Sequence, residues 1–217
     1  MTIKVLLADD HEIMRQGISA LLSKHRKFEV VGQASDGLQV LKMVPQLNPD
    51  IVIMDIGMPN LNGIGATEKL MLIAPSLKIM ALSIHSERSI VVKMIQAGAA
   101  GYMHKDSAFD ELAEGLNAIL EGRTFLCNKI ARIVFSEHLG LVSKPETING
   151  DQLTMREKEV LQLVAEGKTT RTIAQMLNIS KKTVDTHREH IMEKLNIRNI
   201  AGLTKYAIRE GLTSPNQ

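Results

Sequence analysis

Ile51-Val52-Ile53-Met54-Asp55 places four apolar residues directly before one carboxylate, and the reading of that stretch decides the fold of the N-terminal half. Three β-branched residues in a run of four suit a strand buried on both faces, as in the middle of a parallel sheet. Three comparable runs also end in residues that carry chemistry: 3–8 leads into Asp9-Asp10, 77–82 into Ser83, and 101–104 into Lys105. If these runs are parallel strands of one sheet, three carboxylates, a hydroxyl and an ammonium converge at its carboxyl edge. That edge is where open α/β sheets bind ligands.

The segments between the runs agree with a parallel sheet. Residues 28–34 supply a fifth β-rich run, and helical patterns cover 12–23, 37–47, 63–73, 87–97 and 108–121. Five strand-helix repeats predict an α/β fold, a flavodoxin-like doubly wound (βα)5 parallel sheet, because parallel neighbours need a helical crossover and crossovers are right-handed. Glycines and prolines fall near the element ends, and Asp36 and Ser107 stand where helix N-caps are wanted. After the apolar segment 130–134 come Ser136-Glu137-His138-Leu139-Gly140 and Lys144-Pro145-Glu146, which read as a linker with one helical turn at its start. The remainder reads as four helices, over 155–166, 170–177, 181–195 and 200–210, without strands. The expected division is therefore 1–123, a linker over 124–150, and a small all-α domain over 151–217.

A 217-residue chain with 44% hydrophobic and 23% charged residues suits one or two globular domains. No apolar stretch approaches the roughly 18 residues of a membrane span, and no secretory pattern opens the chain, so a cytoplasmic location without membrane contact is expected. The single cysteine, Cys127, has no partner for an internal disulfide and no metal-binding cluster around it. The total charge of +2 hides an asymmetry: residues 1–123 carry 12 basic against 14 acidic side chains, whereas 151–217 carry 11 against 8. A mildly basic second half is compatible with an anionic partner.

Three carboxylates at neighbouring strand ends repel one another, and a hard cation with oxygen ligands, most simply Mg²⁺, is their natural neutraliser. With Lys105 as a second positive charge, such a site suits phosphoryl transfer to an aspartate. Asp55 is the better nucleophile candidate, alone at the end of the most apolar strand, while Asp9 and Asp10 suit metal holding. Each residue has a plainer reading as a helix cap or surface group, but four at four strand ends are harder to dismiss. His11 reads as a helix-start residue and His85 as a loop histidine.

Ala8-Asp9-Asp10-His11, Met54-Asp55-Ile56-Gly57-Met58-Pro59 with Asn62-Gly63, Leu82-Ser83, and Gly101-Tyr102-Met103-His104-Lys105-Asp106 resemble the receiver domain of bacterial two-component response regulators. The resemblance implies that a sensor histidine kinase phosphorylates Asp55. It implies Mg²⁺ held by Asp10, Asp55 and the backbone carbonyl of Gly57, with Asp9 acting through water. Lys105 would contact the phosphoryl group, and Ser83 and Tyr102 would form the switch, the hydroxyl moving toward the phosphoryl oxygens and the ring following.

In the second half, Ile173-Ala174 and Met176-Leu177 precede Asn178-Ile179-Ser180, and a longer helix then carries Val184, His187, Ile191 and Leu195 on one side. Ser180 is a fitting N-cap, and the short break can turn the chain between two packed helices. Successive 100° steps turn Lys182, Asp185, Thr186, Glu189 and Glu193 outward, with Lys181 and Arg188 at the flanks for phosphates. Leu153-Thr154-Met155-Arg156-Glu157, Glu166-Gly167-Lys168, Thr183-Val184 and Lys194-Leu195 resemble the LuxR-type helix-turn-helix. Both halves together resemble the NarL/FixJ class. That resemblance implies DNA contacts among Lys181, Lys182, Asp185, Thr186, Arg188 and Glu189, where Asp185 and Glu189 depart from the frequently basic pattern but could accept hydrogen bonds from cytosine.

The chain thus reads as a transcription regulator, not an enzyme, that dimerises when phosphorylated, by the helix over 200–210, and binds double-stranded promoter DNA. RNA polymerase is a further partner that the resemblance leaves open. Two alternatives remain: sequestration of a protein partner, and aspartyl-phosphate hydrolysis, against which Gly57 stands where a second acid/base aspartate would be.

Overall fold

The computed structural model describes residues 2–107, 109–138 and 153–214. The chain divides into two compact units, Met1–Ser143 and Lys144–Gln217. The first alternates β1 (Ile3–Ala8), α1 (Glu12–Leu22), β2 (Phe28–Ala34), α2 (Gly37–Leu47), β3 (Ile51–Asp55), α3 (Gly63–Ile73), β4 (Lys78–Ser83), α4 (Arg88–Gln96), β5 (Gly101–His104) and α5 (Phe109–Leu120). Every ladder is parallel, in the order β2-β1-β3-β4-β5 followed by a short sixth strand. All five residues of β3 are buried, as the apolar run predicts for a strand flanked on both edges and covered on both faces.

Helix starts follow the side chains available. Asp36 accepts a hydrogen bond from the Gln39 amide at the start of α2, and Asn62 from Gly65 at the start of α3. Gly63 is required by space: a Cβ there would lie 2.1 Å from the Asp55 carbonyl oxygen. The cap expected from Ser107 adjoins Ala108, which is outside the described residues.

Two corrections concern the end of this unit. The sheet has six strands rather than five, because β6 (Phe125–Leu126) pairs with β5, Gly101 facing Phe125 and Tyr102 facing Leu126. The segment expected to open a linker at 124 with one helical turn instead forms β6 and an eleven-residue helix, α6 (Asn128–His138). Burial explains it: Cys127 and Ile130 are fully enclosed in the core of the first unit, and the Cys127 amide donates to the Tyr102 carbonyl. The rest of the expected linker, from 139 to 150, lies outside the described residues.

The second unit consists of α7 (Met155–Ala165), α8 (Thr170–Met176), α9 (Lys181–Leu195) and α10 (Ile200–Arg209) around a separate core that includes Leu161, Ile173, Val184, Ile191 and Leu203. Asn178 takes a left-handed φ of 52° in the turn between α8 and α9, a conformation that asparagine tolerates better than most residues. Ser180 caps α9 by accepting from the Thr183 amide. Leu203 and Ala207 of α10 are buried in this core, and Tyr206 packs against it.

Candidate functional site

Register alone brings the acidic and basic residues of the first unit together. Ala8 faces Met54 and Asp55 faces Leu82, so Asp9 and Asp55 leave adjacent strands at the same level. Ser83 faces His104, so Lys105 comes next on the neighbouring strand. The Lys105 ammonium lies 2.7 Å from an Asp9 oxygen and 2.8 Å from Asp55 Oδ2, and all three side chains are almost completely buried. Asp55 Oδ1 accepts a long 3.3 Å bond from the Gly57 amide. Asp10, more exposed, completes a group with Asp9, His11 and Asp55 whose ligand atoms all lie within 4.8 Å of one another.

The electrostatics of this edge are unbalanced, with three carboxylates against one buried ammonium. Burial raises the Asp55 carboxyl from 3.8 to about 6; Lys105 opposes the rise, and Asp9 and Asp10 add to it. Burial alone would lower Lys105, yet the Asp55 and Asp9 carboxylates outweigh it and hold the ammonium above its ordinary value. The residual negative charge and the oxygen donors suit a hard dication such as Mg²⁺.

Sequence reasoning missed His11. Its backbone opens α1 as expected, but its ring nitrogen Nδ1 also lies 2.8 Å from an Asp10 oxygen and 3.2 Å from Asp9 Oδ1, and its amide donates to Asp9 Oδ1. His85 lies in a loop as expected, but its side chain is mostly buried and reaches Glu87 at 3.5 Å. Its amide donates to the Ser83 hydroxyl at 3.0 Å and its carbonyl accepts the Tyr102 hydroxyl at 2.9 Å. Ser83 and Tyr102 are fully buried, and burial drives the Tyr102 hydroxyl well above its ordinary value.

In the second unit the residues expected to face outward, Lys182, Asp185, Thr186, Glu189 and Glu193, are open to solvent along α9, as is Lys181 at the flank. Two members are already engaged: Thr186 donates to the Lys182 carbonyl, and half-buried Arg188 donates to Thr170 on α8 at 3.3 Å. The scaffold beneath is braced by ions. Arg156 links Glu159 to the Leu177 carbonyl at the end of α8. Lys194 on α9 reaches both oxygens of Glu157 on α7, at 2.7 and 2.9 Å. Glu157 also completes a capping box with Thr154.

Comparison with known proteins matches residues 5–117 to the response regulator receiver domain and residues 151–207 to the luxR family of bacterial regulatory proteins. The chain belongs to the response regulators. The transcriptional regulatory protein DegU of Brevibacillus brevis is 33% identical over 222 residues, covering 96% of this chain and 94% of DegU. The response regulator GacA of Pseudomonas syringae is 35% identical over 213 residues, covering 97% of both chains. Among solved structures, that of an RcsB–DNA complex shares 28% identity with a TM-score of 0.61, over 97% of this chain and 99% of that one. The family is one of regulators rather than classical enzymes. No helix among the described residues of this response regulator is long and apolar enough to cross a membrane.

Proposed function

We propose that this response regulator accepts a phosphoryl group on Asp55 from the phosphohistidine of a sensor kinase and, so modified, binds double-stranded promoter DNA as a homodimer. The observation that carries the reading is the Lys105 ammonium held between buried Asp9 and Asp55, with Asp10 beside them.

An ionised Asp55 oxygen attacks phosphorus as the bond to the kinase imidazole nitrogen breaks; the imidazole leaves and takes up a proton. Mg²⁺, when bound, would balance charge on the phosphoryl oxygens, with Asp10, Asp55 and the Gly57 carbonyl holding it and Asp9 acting through water. Lys105 contributes the other positive charge, already positioned, so little reorganisation is needed as charge develops.

The switch arises from bonds already made. A phosphoryl oxygen at Asp55 accepts from the Ser83 hydroxyl and draws it away from the His85 amide, whose hydrogen bond Ser83 Oγ now accepts. Moving it loosens the loop whose carbonyl anchors Tyr102. β6 and α6 lie directly beside that strand, which makes residues 124–138 part of the receiver's responding surface and shortens the linker to the residues after them. The α9 face carrying Lys181, Lys182, Asp185, Thr186, Arg188 and Glu189 is the DNA-reading element, and α10 is the pairing element, through exposed Ile200 and Lys205 since Leu203 and Ala207 are core.

The test is phosphoryl uptake from a small-molecule phosphodonor with Mg²⁺, read by intact mass on wild type and Asp55→Asn, followed by size exclusion. A Mg²⁺-dependent addition that is lost in Asp55→Asn and shifts the protein toward dimer is expected. No addition to wild type would defeat the phosphoacceptor reading.

A further inference from the structure

The exposed face of α9, the helix proposed to enter a groove between phosphates, carries carboxylates as well as basic side chains. Asp185 and Glu189 stand one turn apart, both exposed. Among the described residues neither carboxylate is held by a cation or a hydrogen-bond donor. The neighbouring groups that could have served differ: Thr186 is turned back onto its own helix and Arg188 is tied to Thr170. Val184 and Ile191 fix the rotation of the helix by burying its opposite side. The two carboxylates therefore stand on the side of α9 that is free to contact a partner.

A carboxylate near a phosphate lowers affinity, so a DNA-reading face bearing two of them must aim them at base edges to bind well. Ionised carboxylates only accept hydrogen bonds. In the major groove guanine offers two acceptors, thymine an acceptor and a methyl, and adenine an acceptor beside its amino group. Cytosine alone offers a donor with no acceptor on the same base. Four residues of helix separate the two carboxylates by about 6 Å, close to two base-pair steps of about 3.4 Å.

We infer that Asp185 and Glu189 are specificity-determining residues that select cytosine at two nearby positions of each half-site. The inference rests on α9 being the DNA-reading helix. It identifies the ligand chemistry as the cytosine amino group in duplex DNA.

The test is selection from a random-sequence duplex library by full-length protein treated with Mg²⁺ and a phosphodonor, using wild type, Asp185→Asn and Glu189→Gln. Both substitutions preserve shape at exposed positions. The wild-type consensus is expected to hold two cytosines within a few base pairs in each half-site. Each amide variant is expected to replace one of them, with adenine favoured because Asn and Gln pair with its N6 and N7. Affinity for the wild-type site should fall about tenfold, while affinity for unrelated DNA holds or rises as a repulsive charge is removed. A consensus that neither substitution changes, or that changes only at bases other than cytosine, overturns the inference while leaving DNA binding intact. Failure of wild type to enrich any sequence instead overturns the DNA-binding reading beneath it.

Discussion

Replacing Asp55 with asparagine should stabilise the metal-free receiver, although it destroys the proposed phosphoacceptor. The folded protein holds the Asp55 carboxyl at about 6 against an ordinary 3.8, so keeping it ionised costs the fold free energy. At about 1.4 kcal/mol for each tenfold change in proton affinity, the penalty at pH 8 is roughly 3 kcal/mol. Asparagine keeps an acceptor for Lys105 and sheds the charge, and imperfect packing of the amide leaves an expected gain of about 1–3 kcal/mol. The sign with pH is fixed: a carboxyl raised on folding favours the native state below its unfolded value and loses that advantage as pH rises through about 6. The gap between variant and wild type should therefore be small near pH 4, open between 4 and 6, and stay level above 7. Urea unfolding of the full chain in chelator, followed by hydrogen exchange of β1 and β3 peptides, reads the receiver apart from the helical unit. A variant less stable than wild type at pH 8, or a gap independent of pH, would refute the charge argument. Millimolar Mg²⁺ should shrink the gap, since it stabilises the wild-type site more.

Lys105→Met should act in the opposite direction, removing the ammonium that two buried carboxylates share and costing about 3–5 kcal/mol at pH 8 in the same exchange assay, less at pH 5 where Asp55 protonates. Gly63→Ala would force a methyl to within 2.1 Å of the Asp55 carbonyl; thermal unfolding should show at least ~1–3 kcal/mol of destabilisation, and mass spectrometry slower phosphoryl uptake as β3 shifts. In the helical unit, Lys194, Thr154 and its amide hold the Glu157 carboxyl below its ordinary 4.5 despite burial, so the stabilisation they confer is present above that value and lost as pH falls below it. Glu157→Gln should flatten this acid limb and cost about 1–3 kcal/mol at pH 7, measured by exchange protection of α7 peptides.

How much of this was legible in the sequence depended on whether backbone geometry alone decides the outcome. Strand ends in a parallel sheet are fixed by burial and crossover rules, so the meeting of Asp9, Asp55 and Lys105 could be read from four apolar runs and the residues at their ends. The outward face of α9 was legible for the same reason, since helical angle decides it once Val184 is inward. Contacts that depend on side-chain torsions in loops were not. The ring of His11 over Asp9 and Asp10, and the bonds of His85 to Ser83 and Tyr102, depend on the paths of short turns that have no periodicity. β6 escaped because two residues carry no alternation. The brace from Arg156 to Leu177 spans 21 residues and leaves no local trace.

The receiver edge is a place where fold stability is given up for reactivity. A sheet made only for stability would put one carboxylate beside Lys105; this one buries Asp55, which drives its carboxyl upward, and adds Asp9 and Asp10, which push it the same way. The excess negative charge has two reliefs, protonation and cation binding, and only the second leaves Asp55 able to attack phosphorus. Charge imbalance thus makes the site acid-sensitive when free of metal and ready for chemistry when a dication is present. The same imbalance predicts that the apparent proton affinity governing phosphoryl uptake falls as Mg²⁺ is raised. The proposed metal dependence then has its physical source in the burial of Asp55 and its repulsion by Asp9, with Lys105 setting how much of that cost remains.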